Sequence, residues 1–276
     1  MSSTHGPLKE LHIIPHGGTE LPHELLDEID PDQFPTLAAL VHANADTGTG
    51  AIYRTLVEEV ASGSVRGTAV AGFHLSRILL DANRLKPEEQ VLAHPYSGDG
   101  SLYSEYLVRE AARLREEMLL PWLRAVDGIL RQMHEGVVYH HHTYDLIPLS
   151  PRPWDQDPGA KRPAFQLAWR KSSWDTVFEI GDSPEVDELA PLKEIEQARD
   201  RIREFLCDNI GIPGTIGAID HPLLLPVTPF RGTRRGEPSG APHHVVYDLR
   251  KDFLVTEEQV RLWVRDSPWR LAGVIT

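Results

Sequence analysis

Short apolar runs alternate along this chain with stretches of helical spacing. Leu11-His12-Ile13-Ile14 reads as a buried strand, stopped at once by Pro15 and the Gly17-Gly18 pair. Residues 47–61 place Ile52, Leu56 and Val60 on one helical face after a Gly-rich turn. Thr68 to Leu80 is rich in β-branched and apolar residues and predicts one or two strands. The strongest helical pattern runs from Tyr103 to Arg131, with a break or kink expected after Leu120 because Pro121 follows. Val137-Val138-Tyr139 predicts a core strand that runs into His140-His141-His142. The Pro- and Trp-rich residues 148–175 predict a long irregular excursion, an active-site wall or lid. Pro184 to Asn209 holds a second amphipathic helix, ended by Gly211 and Pro213. Ala218–Val227 and Val245–Leu249 predict further strands, separated by a polar loop that carries Arg231, Arg234 and Arg235. Strands alternating with helices predict an α/β fold with a mixed, mostly parallel sheet. No linker marks a boundary, so one domain over 1–276 is expected, with an irregular insertion at about 148–180.

Charge narrows the classes of partner. Asp+Glu 41 against Lys+Arg 28 gives a net charge of −13, which repels phosphate backbones and argues against nucleic acid. No apolar run is long enough to span a membrane. The first residues, MSSTHGPLKELHIIPHGGTE, lack a basic flank followed by an apolar stretch, so a cytoplasmic location is expected. Cys207 is the single cysteine, which excludes an internal disulfide and any CxxC metal or redox motif. It falls within an amphipathic helical pattern and reads as a packing residue.

Histidine is in excess, at 14 residues. Average usage would give about six. Several familiar chemistries are missing: there is no GxSxG elbow, no GxxxxGK[ST] loop and no HExxH helix. What remains is a pattern of apolar strands that end in candidate ligands. His16 follows the first strand and is itself followed by two glycines, which leave room for a ligand. In an extended segment His140 and His142 share one face and His141 takes the other. Imidazoles at the end of a buried strand need hydrogen bonds or a metal to compensate their burial. Asp46, on a turn ahead of a helix, reads by itself as a helix N-cap. Two His and one carboxylate with an open fourth position also make a catalytic zinc shell. Arg77, Asn83 and Arg84 cluster near one predicted strand end, where guanidinium groups would grip an anionic substrate or pair with acids such as Asp81. Asp248 interrupts an apolar strand, a setting that raises a carboxylate pKa toward that of a general base; pairing with Arg250 or Lys251 is the alternative.

These stretches resemble the N-formylglutamate amidohydrolase family. Pro15-His16-Gly17-Gly18-Thr19 resembles its first metal-ligand loop, and Ala45-Asp46 its acidic-ligand segment. Ser76-Arg77 through Asp81-Ala82-Asn83-Arg84 is the most specific match. His142-Thr143 and Val245-Val246-Tyr247-Asp248 fall where the family has a His-Ser pair and a strand bearing a catalytic glutamate. The resemblance implies a three-layer, zinc-exopeptidase-like α/β fold and a metal-dependent amidohydrolase. Its substrate would be a small molecule that bears a carboxylate and an N-formyl or N-acyl amide. His16, Asp46 and His142 would hold Zn2+, with Glu20 as a competing carboxylate ligand. Arg77, Asn83 and Arg84, with His140, would hold the substrate; Arg77 would also stabilise the oxyanion, and Asp248 would activate water. Carboxypeptidase or acidic-amino-acid deacylase activity on the same shell, or metal binding without catalysis, are the rivals. Two departures bear on the substrate: Asp248 stands in place of a glutamate, and His140 in place of an aspartate.

Overall fold

Among the described residues one five-stranded sheet organises the fold. Its strands are β1 (Glu10–Ile14), β2 (Thr68–Gly72), β3 (Val137–Tyr144), β4 (Phe165–Arg170) and β5 (His243–Arg250), in the spatial order β2-β1-β3-β5-β4. The first four in that order are parallel, and β4 pairs antiparallel with β5 at the edge. The structure is a computed structural model, and it describes residues 7–27, 29–83, 105–133, 136–144, 165–170, 193–210, 242–251 and 256–270.

The period of two in β1 sorts its side chains between two helical layers. Leu11 and Ile13 pack with Val138 against Val126 and Leu130 of a helix over Leu120–Leu130. Ile14 joins Tyr139 and Val137 on the other face, against Ile52 and Leu56 of a helix over Thr49–Ser62, Ile202 of one over Lys193–Ile210, and Trp263 of one over Glu257–Asp266. Helices on both faces of a mostly parallel sheet make a three-layer α/β fold. Each fully buried aliphatic side chain here contributes about 1.5–3 kcal/mol.

In chain order the helices of four residues or more are α1 (His23–Leu26), α2 (Phe34–Asn44), α3 (Thr49–Ser62), α4 (Glu105–Leu114), α5 (Leu120–Leu130), α6 (Lys193–Ile210) and α7 (Glu257–Asp266). Pro121 does not end the long helical stretch. A widened π turn over Arg115–Leu119 precedes it, in which Leu120 N–H donates to the Arg115 carbonyl five residues back. Pro121 then occupies the start of α5, where its missing N–H costs little.

Several expectations need correction. The predicted strand from Thr68 to Leu80 stops at Gly72, and Leu75 then makes only an isolated bridge to Glu20. Part of the expected irregular excursion is the edge strand β4, whose Phe165-Gln166-Leu167 and Trp169 alternation carries a strand period. α7 was not anticipated, although Thr256 and Gln259 form a reciprocal capping box at its start. α2 was also missed. The predicted strand at Ala218–Val227 and the loop with Arg231, Arg234 and Arg235 lie outside the described residues, as does Arg84.

Candidate metal centre

The sheet order places a crevice between β1 and β3. From β1 the chain goes to β2 on one side and later to β3 on the other, so the connections part at the carboxyl ends of these two strands. In open α/β sheets such a switch point is where ligands bind. His16 follows β1 by two residues and His142 lies near the end of β3, one on each side of the crevice. The turn before α3 brings Asp46 between them. Asp46 N–H donates to the His16 carbonyl at 3.0 Å, and Thr143 Oγ1 donates to the Thr47 carbonyl at 3.1 Å. These two bonds fasten the turn to both strands.

His16, Asp46 and His142 are all buried, and each offers a ligand atom within 4.8 Å of the others. Their focus is a single oxygen: Asp46 Oδ2 lies 3.1 Å from His142 Nδ1 and 3.5 Å from His16 Nδ1. Two ligands about 2.1 Å from one tetrahedral ion stand about 3.4 Å apart, so the spacing fits a shared ion. His16 Nδ1 is buried and makes no hydrogen bond among the described residues. Burial alone would raise the Asp46 carboxyl, but the hydrogen bond with His142 and the neighbouring His16 imidazole outweigh it and hold Asp46 well below the usual carboxylate range. The group is thus an anion ready to bind a cation. The N-cap reading of Asp46 does not hold. Gly48 (φ 93°) caps α3 without a side-chain bond, and the Asp46 carboxylate turns to the imidazoles instead.

Behind His16 stands a carboxylate whose part the sequence did not reveal. Asp81 Oδ1 lies 2.8 Å from His16 Nε2 and also accepts the Asn83 N–H at 3.0 Å. With Nε2–H donated to Asp81, His16 presents Nδ1 as the lone-pair nitrogen, the usual carboxylate–histidine support of a metal ligand. Arg77 donates from Nε to Asp81 Oδ2 at 3.0 Å and brings Nη1 to 4.0 Å from Asp46 Oδ1. Asn83 is buried, and its Oδ1 makes no hydrogen bond among the described residues.

The other candidates fall elsewhere. Glu20 is exposed and outside the cluster; its backbone N–H donates to the His74 carbonyl. His140 is buried against His244, with Nε2 and Nδ1 3.1 Å apart. His141 turns to the opposite face, where its Nε2 lies 3.0 Å from Nδ1 of His12 and its ring packs on Trp269. The expected alternation along the His triplet is present. β5 sets Asp248 in register with His142, on the adjacent strand. The His12 and His244 partners were not foreseen, because a strand pairing brings them in from 129 and 104 residues away.

The family model for N-formylglutamate amidohydrolase matches residues 9–183, which span β1, α3, Asp81 and the His triplet. The chain belongs to the N-formylglutamate amidohydrolase family. Membership makes it a hydrolase of amidohydrolase type with a small-molecule substrate. Two solved structures share the fold. A gene product from Agrobacterium tumefaciens is 16% identical, with a TM-score of 0.51 over 94% of this chain and 87% of its own. The N-formylglutamate amidohydrolase from Ralstonia eutropha JMP134 is 14% identical, with a TM-score of 0.51 over 97% of this chain and 95% of its own. No curated protein matches the chain. Among the described residues no helix is long and apolar enough to cross a membrane.

Proposed function

We propose that the protein is a zinc-dependent amidohydrolase that cleaves the N-formyl or N-acyl amide of a small carboxylate-bearing substrate. One observation carries this reading: two imidazoles and an ionised carboxylate, from three separate parts of the chain, converge on one buried point at the switch of the sheet. His16, Asp46 and His142 would hold the ion, and the nitrogen-and-oxygen donor set suits zinc. A bound divalent ion supplies a Lewis acid and lowers the pKa of water at the site.

The protein's own groups do the rest. Asp81 fixes the tautomer and tilt of His16, and Arg77 holds Asp81 in turn. The Arg77 guanidinium, partly exposed beside Asp46, supplies positive charge where an oxyanion develops. Asp248 takes a proton from the attacking water and returns it to the leaving nitrogen, as its register position beside His142 suits. Arg84 binds the substrate's carboxylate, and Asn83, whose Oδ1 makes no hydrogen bond among the described residues, accepts from a substrate N–H. His140 borders the substrate from β3. A single α/β domain and a reducing, cytoplasmic setting are consistent with the lone Cys207.

The test is hydrolysis of N-formyl- and N-acyl-amino acids alongside their α-amides, by wild type and Arg84→Lys. Wild type should favour the carboxylates. The variant should lose selectively on them, because an ammonium cannot make two parallel hydrogen bonds. Equal loss on acids and amides would remove Arg84 from the substrate site, and no hydrolysis of any compound would remove the activity.

A further inference from the structure

A cavity of about 300 Å³ opens between the ends of β1 and β2 and the first turns of α3, and His16, Asp46 and His142 do not line it. Its lining includes Gly17 and Gly18, the residues after His16, with Glu20, His74 and, from α3, Tyr53 and Arg54. Its size is that of a small-molecule cleft rather than a protein-docking surface.

The walls are fixed by close packing. A Cβ on Gly72 would stand 2.7 Å from the Tyr53 ring, and that ring meets His74 edge-on at 5.1 Å. A Cβ on Gly50 would stand 3.1 Å from the Gly17 carbonyl oxygen and 3.8 Å from Arg54 Nη1, so the loop after β1 lies close against the start of α3. In a chain of net charge −13, neither Arg54 nor Glu20 makes an ion pair with its side chain among the described residues. Glu257, whose carboxyl feels the Arg54 charge, is bonded to Arg261 at 2.9 Å instead. The cleft thus presents one cation and one anion that do not pair with each other, and an aromatic ring.

We propose that this cleft binds a small zwitterion of the α-amino acid class. Arg54, in the second turn of α3, takes the carboxylate. Glu20 takes the ammonium, and Tyr53 lies along the side chain. A plain anion would meet repulsion from Glu20, and a plain cation from Arg54, so the pair selects a molecule carrying both charges. An amidohydrolase acting on N-acyl amino acids releases this class of molecule beside the cleft. That link rests on the proposed function, whereas the binding itself does not.

Calorimetric titration of metal-stripped protein tests it. The probes are L-methionine and L-glutamate, each with its N-acetyl derivative and its α-amide. At least one free amino acid should bind, with both of its derivatives ten-fold weaker or worse. Arg54→Gln should remove the preference over the amide, and Glu20→Gln the preference over the N-acetyl form. Asp46→Asn, which disables the metal cluster, should leave the binding as it is. Absence of saturable binding by both amino acids, equal binding of the derivatives, or loss of binding in Asp46→Asn would each overturn the proposal. The last outcome would place the ligand at the metal cluster instead.

Discussion

His12 offers the sharpest physical test of the architecture behind the metal cluster. It is fully buried in β1, stacked on Tyr139 and His141, with Glu10 and Arg270 the charged groups that face it. Burial pushes its pKa below the ordinary histidine value, and the Glu10 carboxylate, with Oε2 3.7 Å from Nε2, recovers only part of the shift. The folded protein therefore holds this imidazole neutral where the unfolded chain would protonate it. Stability is full above the unfolded pKa of about 6.5 and falls as pH drops below it, because the unfolded state then binds the extra proton. One group contributes at most about 1.4 kcal/mol to this loss at one unit below its unfolded pKa. His12→Leu removes the titrating group and destabilises the protein, but its deficit relative to wild type should shrink, by at most about 1.4 kcal/mol, between pH 7.5 and pH 5.5. Urea unfolding followed by tryptophan fluorescence, in chelator so that metal release does not contribute, reads the difference. A deficit that stays constant or widens toward acid would refute the neutral, buried His12.

Asp81→Asn keeps a hydrogen-bond acceptor behind His16 but removes its charge, and should weaken metal binding about 10–100-fold, read by competition with a chelating dye. Asp46→Asn should strip the metal while Glu20→Gln leaves it in place, measured by elemental analysis; the reverse would reassign the carboxylate ligand. Gly18→Ala would place a Cβ 2.0 Å from the His74 carbonyl oxygen, which is backbone and cannot give way. A loss of about 3 kcal/mol or more in unfolding free energy is expected there, against near-neutral behaviour at Gly63→Asn, where the φ of 75° suits asparagine.

β1, β3 and β5 were legible because their apolar runs are dense, whereas β4 was hidden in a Pro- and Trp-rich stretch. β1 shows this in Leu11 to Ile14 before Pro15, and β5 in Val245 to Leu249. α7 was lost because its buried Val260, Trp263 and Val264 sit among charged residues that mask a short amphipathic pattern. At Thr68 to Leu80 the composition stays apolar after the strand has ended, since Phe73, Leu75 and Ile78 to Leu80 are buried in a satellite cluster and not in the sheet. The candidate ligands His16 and His142 could be picked out from local sequence, but the partners that touch them could not. Asp81 was weighed only as a partner for Arg77 and Arg84, because nothing in the chain announces that the turn after β2 swings it onto His16. The N-cap reading of Asp46 failed for a related reason: a glycine two residues on, free to take positive φ, starts the helix and releases the carboxylate.

The proposed activity stands or falls with His16, Asp46 and His142 as the metal shell. Metal stoichiometry measured together with N-formylglutamate hydrolysis, before and after chelation and on re-addition of zinc, tests it most directly. The account requires about one ion per chain, activity lost with the ion and restored by zinc, and neither ion nor activity in Asp46→Asn. Full hydrolysis by chelated protein, or by Asp46→Asn, would contradict it.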